Sequence, residues 1–165
     1  MVADFTRVTP AELERAPTDT AEVFEYLDAL DKTGDLPAEE RGVYVDKAWH
    51  ALWYLLNEAE SPLDLLFDGY VMGDKDADWD GWRPSCFTVD EVAAAAEFLT
   101  ATPYERLREH FDAEAMEAED IYPSGIWVDE ADTVGEEYLK PNYEALVRLF
   151  AAAAKAGDAV VMTIS

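Results

Sequence analysis

The chain has 165 residues, half of them hydrophobic and 12% aromatic, and its 37 acidic and 12 basic residues give a net charge of -25. This apolar content excludes a disordered acidic tail, and charges interrupt every apolar run before it reaches the roughly 20 residues of a membrane span. A nucleic-acid binder is excluded as well, because it needs a basic surface and this chain has few bases.

A strand and two helices are predicted first. Residues 2–8 favour a strand. Thr9, Pro10 and Glu12 then form the capping box of a short helix, with proline at its first position. Apolar residues at helical spacing predict a second helix, which Gly34 ends before a polar connection.

The middle of the chain is predicted to mix one central helix with short strands. Apolar residues cover a wide arc of residues 45–58, which is typical of a helix with many buried neighbours. A short helix over 61–67 and a strand over 69–72 follow. Residues 73–82 form an acidic loop, and a short strand occupies 85–87.

The next part of the chain is predicted to be mostly helical. Thr88 and Glu91 form a second capping box, which begins a helix that ends near residue 99. A shorter helix is predicted over 102–111, and Asp112 is predicted to cap a short turn over 112–117. Proline and glycine within residues 121–127 indicate a loop.

A long helix over 133–156, divided or kinked by Pro141, is predicted to end at Gly157 before a strand over 159–164. These elements together predict an α/β fold, with α+β as the alternative. We expect a small mixed sheet of about four strands, two of them from the first and last elements, with helices packed on its faces.

Length and cysteine content bear on organisation and location. No internal repeat or low-complexity linker divides the chain, so one domain over residues 1–165 is expected. Cys86 is the only cysteine, which disfavours a secreted disulfide scaffold. The first twelve residues lack the basic and apolar regions of a signal peptide, so we expect a bacterial-type cytoplasmic protein.

Several segments of the sequence resemble the YfbM-like family, a bacterial family of unknown function. The resemblance covers most of the chain in the family's order. It lies in DFTRVTPAELE, DKAWHALWYLL, FTVDEVAAAAEFL, IYPSGIW and YEALVRLFAAAAKAGDAVVMTIS. It implies a single YfbM-like domain in which helices surround a mixed sheet. It implies no activity, cofactor or catalytic residue, and residues 74–82 lie outside it.

One group of residues suggests a binding pocket. An aspartate four residues before a histidine on a helix orients the imidazole and favours its charged form. Indole rings nearby supply a stacking wall for a flat ligand, and the 121–127 loop is predicted to close the same pocket. The candidate binding residues are Asp46, Trp49, His50, Trp53, Tyr122 and Trp127.

The same residues also have a purely structural interpretation. In it Trp49 and Trp53 belong to the core, Asp46 is the helix N-cap, and His50 is a hydrogen-bonded residue at the helix edge. The sequence leaves both interpretations open.

The acidic loop copies the first half of a calcium-binding loop. Asp76, Asp78 and Asp80 place carboxylates at alternate positions, and Gly81 allows the sharp turn. Phe87 stands where the bidentate glutamate is required. We therefore expect no structural metal site and at most a weak cation site.

No phosphate-binding glycine loop, nucleophile elbow or zinc-protease motif is present in the sequence, so no cofactor is predicted. The leading hypothesis is a non-enzymatic binding or protein-interaction domain, and its acidity favours a basic protein as the partner. The alternative is a small enzyme or small-molecule-binding protein that uses the pocket around His50. Neither hypothesis includes a nucleic acid or a membrane.

Overall fold

The computed structural model describes residues 1–76, 78–128 and 133–165. Five strands within these residues form one sheet in the order β2-β1-β5-β4-β3, and each neighbouring pair is antiparallel. Among the residues described, none of the helices combines the length and apolarity needed to cross a membrane. The strands are β1 (Ala3–Val8), β2 (Gly42–Tyr44), β3 (Tyr70–Val71), β4 (Ser85–Phe87) and β5 (Ala159–Ile164).

The pair β1 and β5 forms the centre of the sheet. Its register runs from Ala3 opposite Ile164 to Val8 opposite Ala159, so both predicted strands are confirmed. Backbone hydrogen bonds between Val2 and Ser165 extend this pair by one residue. The other three strands are short and lie on either side of it.

Eight α-helices are described, with 3₁₀ turns at Asp46–Ala48 and Arg108–His110 and a π-helix at Val134–Leu139. Both predicted capping boxes are confirmed, at Thr9 and at Thr88. The helices in the described part of the chain are α1 (Pro10–Arg15), α2 (Thr20–Thr33), α3 (Ala38–Arg41), α4 (Trp49–Glu58), α5 (Val89–Ala101), α6 (Tyr104–Leu107), α7 (Ala113–Ala118) and α8 (Lys140–Ala156).

The sheet separates two hydrophobic clusters, because successive side chains of a strand point to opposite faces. In β5, Val160 and Met162 belong to the larger cluster, which also contains side chains of α4, α5 and α8. Val161 belongs to the smaller cluster, in which α2 contributes Val23 and Leu27. Helices therefore cover both faces, as predicted.

Buried ion pairs join α1, α3 and β1 on one side of the molecule. The Glu12 and Arg41 side chains are 0% and 1% exposed, and the guanidinium donates to both carboxylate oxygens, at 2.7 and 2.8 Å. The backbone N–H of Asp35 also donates to Glu12, at 2.7 Å. A second buried pair links Arg7 to Asp158 at 2.7 Å, and Arg41 donates to the Arg7 carbonyl. The sequence indicated neither pair.

The predicted fold class is confirmed, with an antiparallel sheet of five strands instead of a mixed sheet of about four. β2 has only three residues, too few to show a periodic pattern. The predicted helix over 61–67 is wrong. There the Asp64 carboxylate accepts the N–H groups of Leu66 and Phe67, and such local bonds compete with helix formation.

Candidate functional site

Asp46 does not pair with His50, which corrects the predicted Asp–His pair. α4 begins at Trp49, so Asp46 lies before it in the 3₁₀ turn, with a φ of 48°. Its carboxylate accepts hydrogen bonds from the hydroxyls of Tyr138, at 2.8 Å, and Tyr44, at 3.1 Å. The Tyr138 hydroxyl is the main reason why the pKa of Asp46 is lowered.

Asp46 is also not the N-cap of α4, so that part of the structural interpretation is wrong too. The N-cap is Ala48, and no side chain caps this helix end. Because Asp46 has a positive φ, the helix predicted over 45–58 cannot include it, and the α-helix begins only at Trp49.

His50 connects α4 to the 121–127 loop. Its Nδ1 accepts the backbone N–H of Tyr122 at 2.9 Å, so in the neutral ring the proton is on Nε2. The side chain is half-buried, and burial lowers the pKa of His50 below its usual value. This is the opposite of the shift that a carboxylate partner would give.

The rings of Trp49 and Trp53 both lie beside the imidazole of His50. The Trp49 ring is stacked on the imidazole, with centroids 4.9 Å apart and planes at 13°, and the Trp53 centroid lies 5.3 Å away. Trp49 is buried and Trp53 half-buried. The Trp53 indole N–H donates to Asp64 at 2.8 Å, which fixes its orientation.

These rings extend into a longer aromatic surface. The ring of Phe67 packs against that of Trp53, with centroids 6.2 Å apart, and Phe67 is 74% exposed. The ring of Trp82 packs against that of Trp49, also with centroids 6.2 Å apart, and Trp82 is 41% exposed. Tyr122 lies beside Trp49 at 6.3 Å and is half-buried. We define the aromatic band as Phe67, Trp53, His50, Trp49, Tyr122 and Trp82.

Trp127 is not part of this surface, which corrects its assignment to the pocket. It is 0% exposed, and its indole N–H donates to the Ile121 carbonyl at 2.7 Å. Its ring meets the ring of Phe111 edge-on, with centroids 6.5 Å apart. Trp127 therefore anchors the 121–127 loop to the core, and it cannot contact a ligand on the aromatic band.

The segment that flanks the aromatic band is strongly acidic. Residues 58–82 contain eight aspartates and glutamates and one basic residue, Lys75. Asp64 contacts the band directly through Trp53, and Asp80 lies beside Trp82 in a cleft. The band is thus an apolar surface with carboxylates at Trp53 and beside Trp82, and the N-terminal ammonium of Met1 donates to the Tyr122 hydroxyl at 3.1 Å.

A groove adjoins the band at Trp82. Phe24 of α2 stacks on Trp79 of the acidic loop, with centroids 5.6 Å apart and planes at 14°. The Trp79 indole N–H donates to the Trp82 carbonyl at 3.3 Å. We define the groove by Phe24, Trp79, Asp80, Gly81 and Trp82; its volume is about 530 Å³.

The weak cation candidate gains no support. Asp78 and Asp80 are exposed, and Asp76 is exposed with its backbone N–H bonded to Asp74. In the described residues, no three His, Cys, Asp or Glu side chains are placed to hold a metal ion together. Ala77, which also belongs to the predicted acidic loop, lies outside the described residues. We propose no cation site here.

Comparison with known proteins places the chain in a family. The model of a domain of unknown function, DUF1877, matches residues 1–163. The chain belongs to the DUF1877 family. Its structure is similar to the crystal structure of YfbM, a protein of unknown function from Escherichia coli, with a TM-score of 0.62 over 100% of both chains and 16% sequence identity. No curated protein matches the chain.

The comparisons confirm the YfbM-like resemblance seen in the sequence. At 16% identity, the structural likeness shows that the DUF1877 chain and YfbM share a fold. The comparisons assign no role to the aromatic band.

Sequence reasoning missed several aromatic residues at this site of the DUF1877 chain. Phe67, Trp79 and Trp82 lie outside helices and strands, so no periodic pattern points to their surroundings. One signal was available, because two tryptophans within an acidic loop are unusual in a segment that is only solvated. Phe24 of α2 is half-buried and lines the groove.

His50 is expected to make the stability of the DUF1877 chain fall on mild acidification. Protonation at Nδ1 removes the acceptor for the Tyr122 N–H. The pKa of His50 is lower in the folded chain than in the unfolded chain. The stabilisation by neutral His50 is therefore complete above about pH 6.5 and is lost as the pH falls through the folded pKa. Urea unfolding of wild type and His50→Phe at pH 7.5 and pH 5 measures the effect, which His50→Phe should lack.

The exposed His110 supplies the matched control. His110→Phe is expected to keep the acid-dependent loss of the wild type. His50→Ala at pH 7.5 should cost about 1–3 kcal/mol through lost packing and a lost hydrogen bond. Equal pH dependence in wild type and His50→Phe would contradict this role of His50.

Proposed function

We propose that this chain is a non-enzymatic protein-interaction domain that binds a basic partner protein through the aromatic band. The observation that supports this most directly is a partly exposed row of rings, two of which belong to a chain segment, residues 58–82, with eight carboxylates and one lysine. A surface of this kind offers apolar contact area and a negative field together.

The apolar part of the band suits a protein interface. Large aromatic side chains left in water are costly, and truncating them at interfaces often costs much of the binding energy. Phe67 is 74% exposed, and Trp82 and Trp53 are fixed by ring contacts and by the Asp64 hydrogen bond. Rigid rings lose little conformational freedom on binding.

The negative charge of the chain favours a basic partner. A net charge of -25 repels acidic proteins and attracts basic ones, and this attraction speeds encounter at low salt. Of the twelve basic residues, residues 58–82 contain only Lys75. The single cysteine, Cys86, is buried and favours the reducing cytoplasm as the place of this interaction.

A small-molecule pocket at His50 is the second candidate. It is favoured by the Nε2–H of His50, for which the described residues supply no hydrogen-bond partner, next to two indole faces. The small-molecule candidate predicts that neutral ring compounds shift the His50 ring resonances without any peptide present. The interaction proposal predicts that basic peptides shift these His50 resonances.

Selection of binders from a random peptide library displayed on phage tests the proposal. At low salt, we expect enriched peptides with several lysines or arginines and at least one large apolar residue. Phe67→Ala should weaken binding of a selected peptide about tenfold, because truncating a large aromatic contact at an interface can cost more than about 1 kcal/mol. Affinity measured by calorimetry should fall when salt rises from about 0.02 to about 0.5 M.

Val89→Ala is the matched control, because Val89 is 38% exposed and begins α5, outside the band. This variant should bind the selected peptides like the wild type. The proposal is overturned if the enriched peptides are neutral or acidic, if none is enriched, or if Phe67→Ala and Trp53→Ala bind them unchanged.

A further inference from the structure

The groove is a preformed aromatic site. Trp79 is held between the ring of Phe24 and the carbonyl of Trp82, and Trp82 in turn contacts Trp49 of the aromatic band. Gly81 has a φ of 130°, a conformation that L side chains rarely adopt, and it lets the chain turn between the two tryptophans. Contacts from α2 and α4 thus position the rings of a loop.

The lining of the groove is mostly apolar, with one side-chain charge. The three rings share the lining with Met1, Ala21, Ile164 and Ser165, and Asp80 contributes an exposed carboxylate. The nearest basic residues in sequence are Lys75 and Arg83, and the Arg83 guanidinium donates to the Lys75 carbonyl at 2.7 Å. An apolar groove with a carboxylate suits a ligand that has a long apolar stem and a cationic head.

We propose that this groove binds an arginine side chain of the basic partner, with the guanidinium over an indole face and beside Asp80. This assignment rests on the proposed function and names the chemical group that the partner inserts. A planar guanidinium stacks on an aromatic face and is weakly hydrated, whereas the lysine ammonium is compact and strongly hydrated. The methylene stem of arginine covers the apolar wall.

Titration of the indole N–H signals in ¹H–¹⁵N spectra tests the assignment. The probe is N-acetyl-arginine-N′-methylamide, and the comparison compound is its citrulline analogue, which has nearly the same shape without the charge. We expect saturable shifts of the Trp79 and Trp82 signals with the arginine compound, and binding about fivefold weaker with citrulline. The Trp53 signal, held by Asp64, should remain in place.

Two variants of the same loop separate a local contact from the general negative field. Asp80→Asn removes the carboxylate in the groove, whereas Asp76→Asn makes the same charge change on an exposed residue outside it. Only Asp80→Asn should weaken binding. Trp82→Leu should abolish the Trp79 shift, while unchanged amide signals of β1 and β5 would show that the variant is folded.

The assignment is overturned if citrulline binds as well as arginine, if Asp76→Asn weakens binding as much as Asp80→Asn, or if only the Trp53 signal moves. Its failure is distinguishable from failure of the proposed function. Library peptides that depend on Phe67 but leave the Trp79 signal unmoved would support the aromatic band and overturn the groove, because Trp79 belongs to the groove alone.

Discussion

Replacing Arg41 with methionine is expected to lower the free energy of unfolding at pH 7 by about 3–5 kcal/mol, because it leaves a buried carboxylate without its cation. Arg41 donates two hydrogen bonds to Glu12 and one to the Arg7 carbonyl, all between buried groups. Methionine fills part of the same volume, so the loss reports mainly on charge and hydrogen bonding. Urea unfolding followed by circular dichroism measures it.

The pair also makes stability depend on pH. Burial raises the pKa of Glu12, but hydrogen bonds from Arg41, Thr9 and Asp35 outweigh it and lower the pKa from 4.5 to about 2. Since the folded pKa lies below the unfolded one, this stabilisation is present above about pH 4.5 and is lost as the pH falls towards 2. Arg41→Met removes the hydrogen bonds and the charge of Arg41, which lower the pKa of Glu12. We expect the pKa of Glu12 to be higher in the variant than in the wild type, so the variant's stability deficit should shrink between pH 7 and pH 4.

Arg15→Met is the matched control. Arg15 pairs with Asp35 at 2.9 Å, but both side chains are about half exposed, so the substitution should have little effect. The double variant Glu12→Gln/Arg41→Met should recover part of the stability lost in Arg41→Met, because no unpaired charge remains buried. Equal losses in Arg15→Met and Arg41→Met would contradict the importance of burial.

Trp127→Ala is expected to cost about 3–5 kcal/mol of unfolding free energy, because it opens a large cavity in the core. The side chain is 0% exposed, and its removal also leaves the Ile121 carbonyl without its hydrogen bond. Trp127→Phe keeps most of the ring volume and should lose less. Urea unfolding at pH 7 compares the two variants.

Trp82→Ala supplies the control, since Trp82 is 41% exposed and its removal should change stability far less. The two tryptophans should then show opposite behaviour in peptide binding. Trp127→Phe should bind the selected peptides like the wild type, whereas Trp82→Ala should bind them more weakly. A Trp127→Phe variant that folds normally but no longer binds peptide would contradict the purely structural role of Trp127.

Elements specified by neighbouring residues were predictable from the sequence. The capping boxes at Thr9 and Thr88 involve residues three positions apart, and both helices begin where these patterns place them. Pro141 similarly marks the change from the π-helix to α8. The buried Glu12–Arg41 pair joins residues 29 positions apart, so no local pattern signals it.

The site was predicted in part. The sequence placed Trp49, His50 and Trp53 near each other because one helix face joins them, and the structure brings Tyr122 to the same place. The Asp–His pair failed because the backbone of Asp46 takes a positive φ, which no local pattern signals. The residue type of Trp127 does not show whether its side chain is buried or exposed, because tryptophan occurs in both environments.

The central position of β1 and β5 sets the order in which the fold can be completed during synthesis. β1 is made first and can pair early only with the three residues of β2, which leaves its other edge open. β5 follows after most of the chain has left the ribosome, so the sheet centre closes late. Until then Phe5 has no strand beside it on that edge, and contacts of such high sequence separation make folding slow.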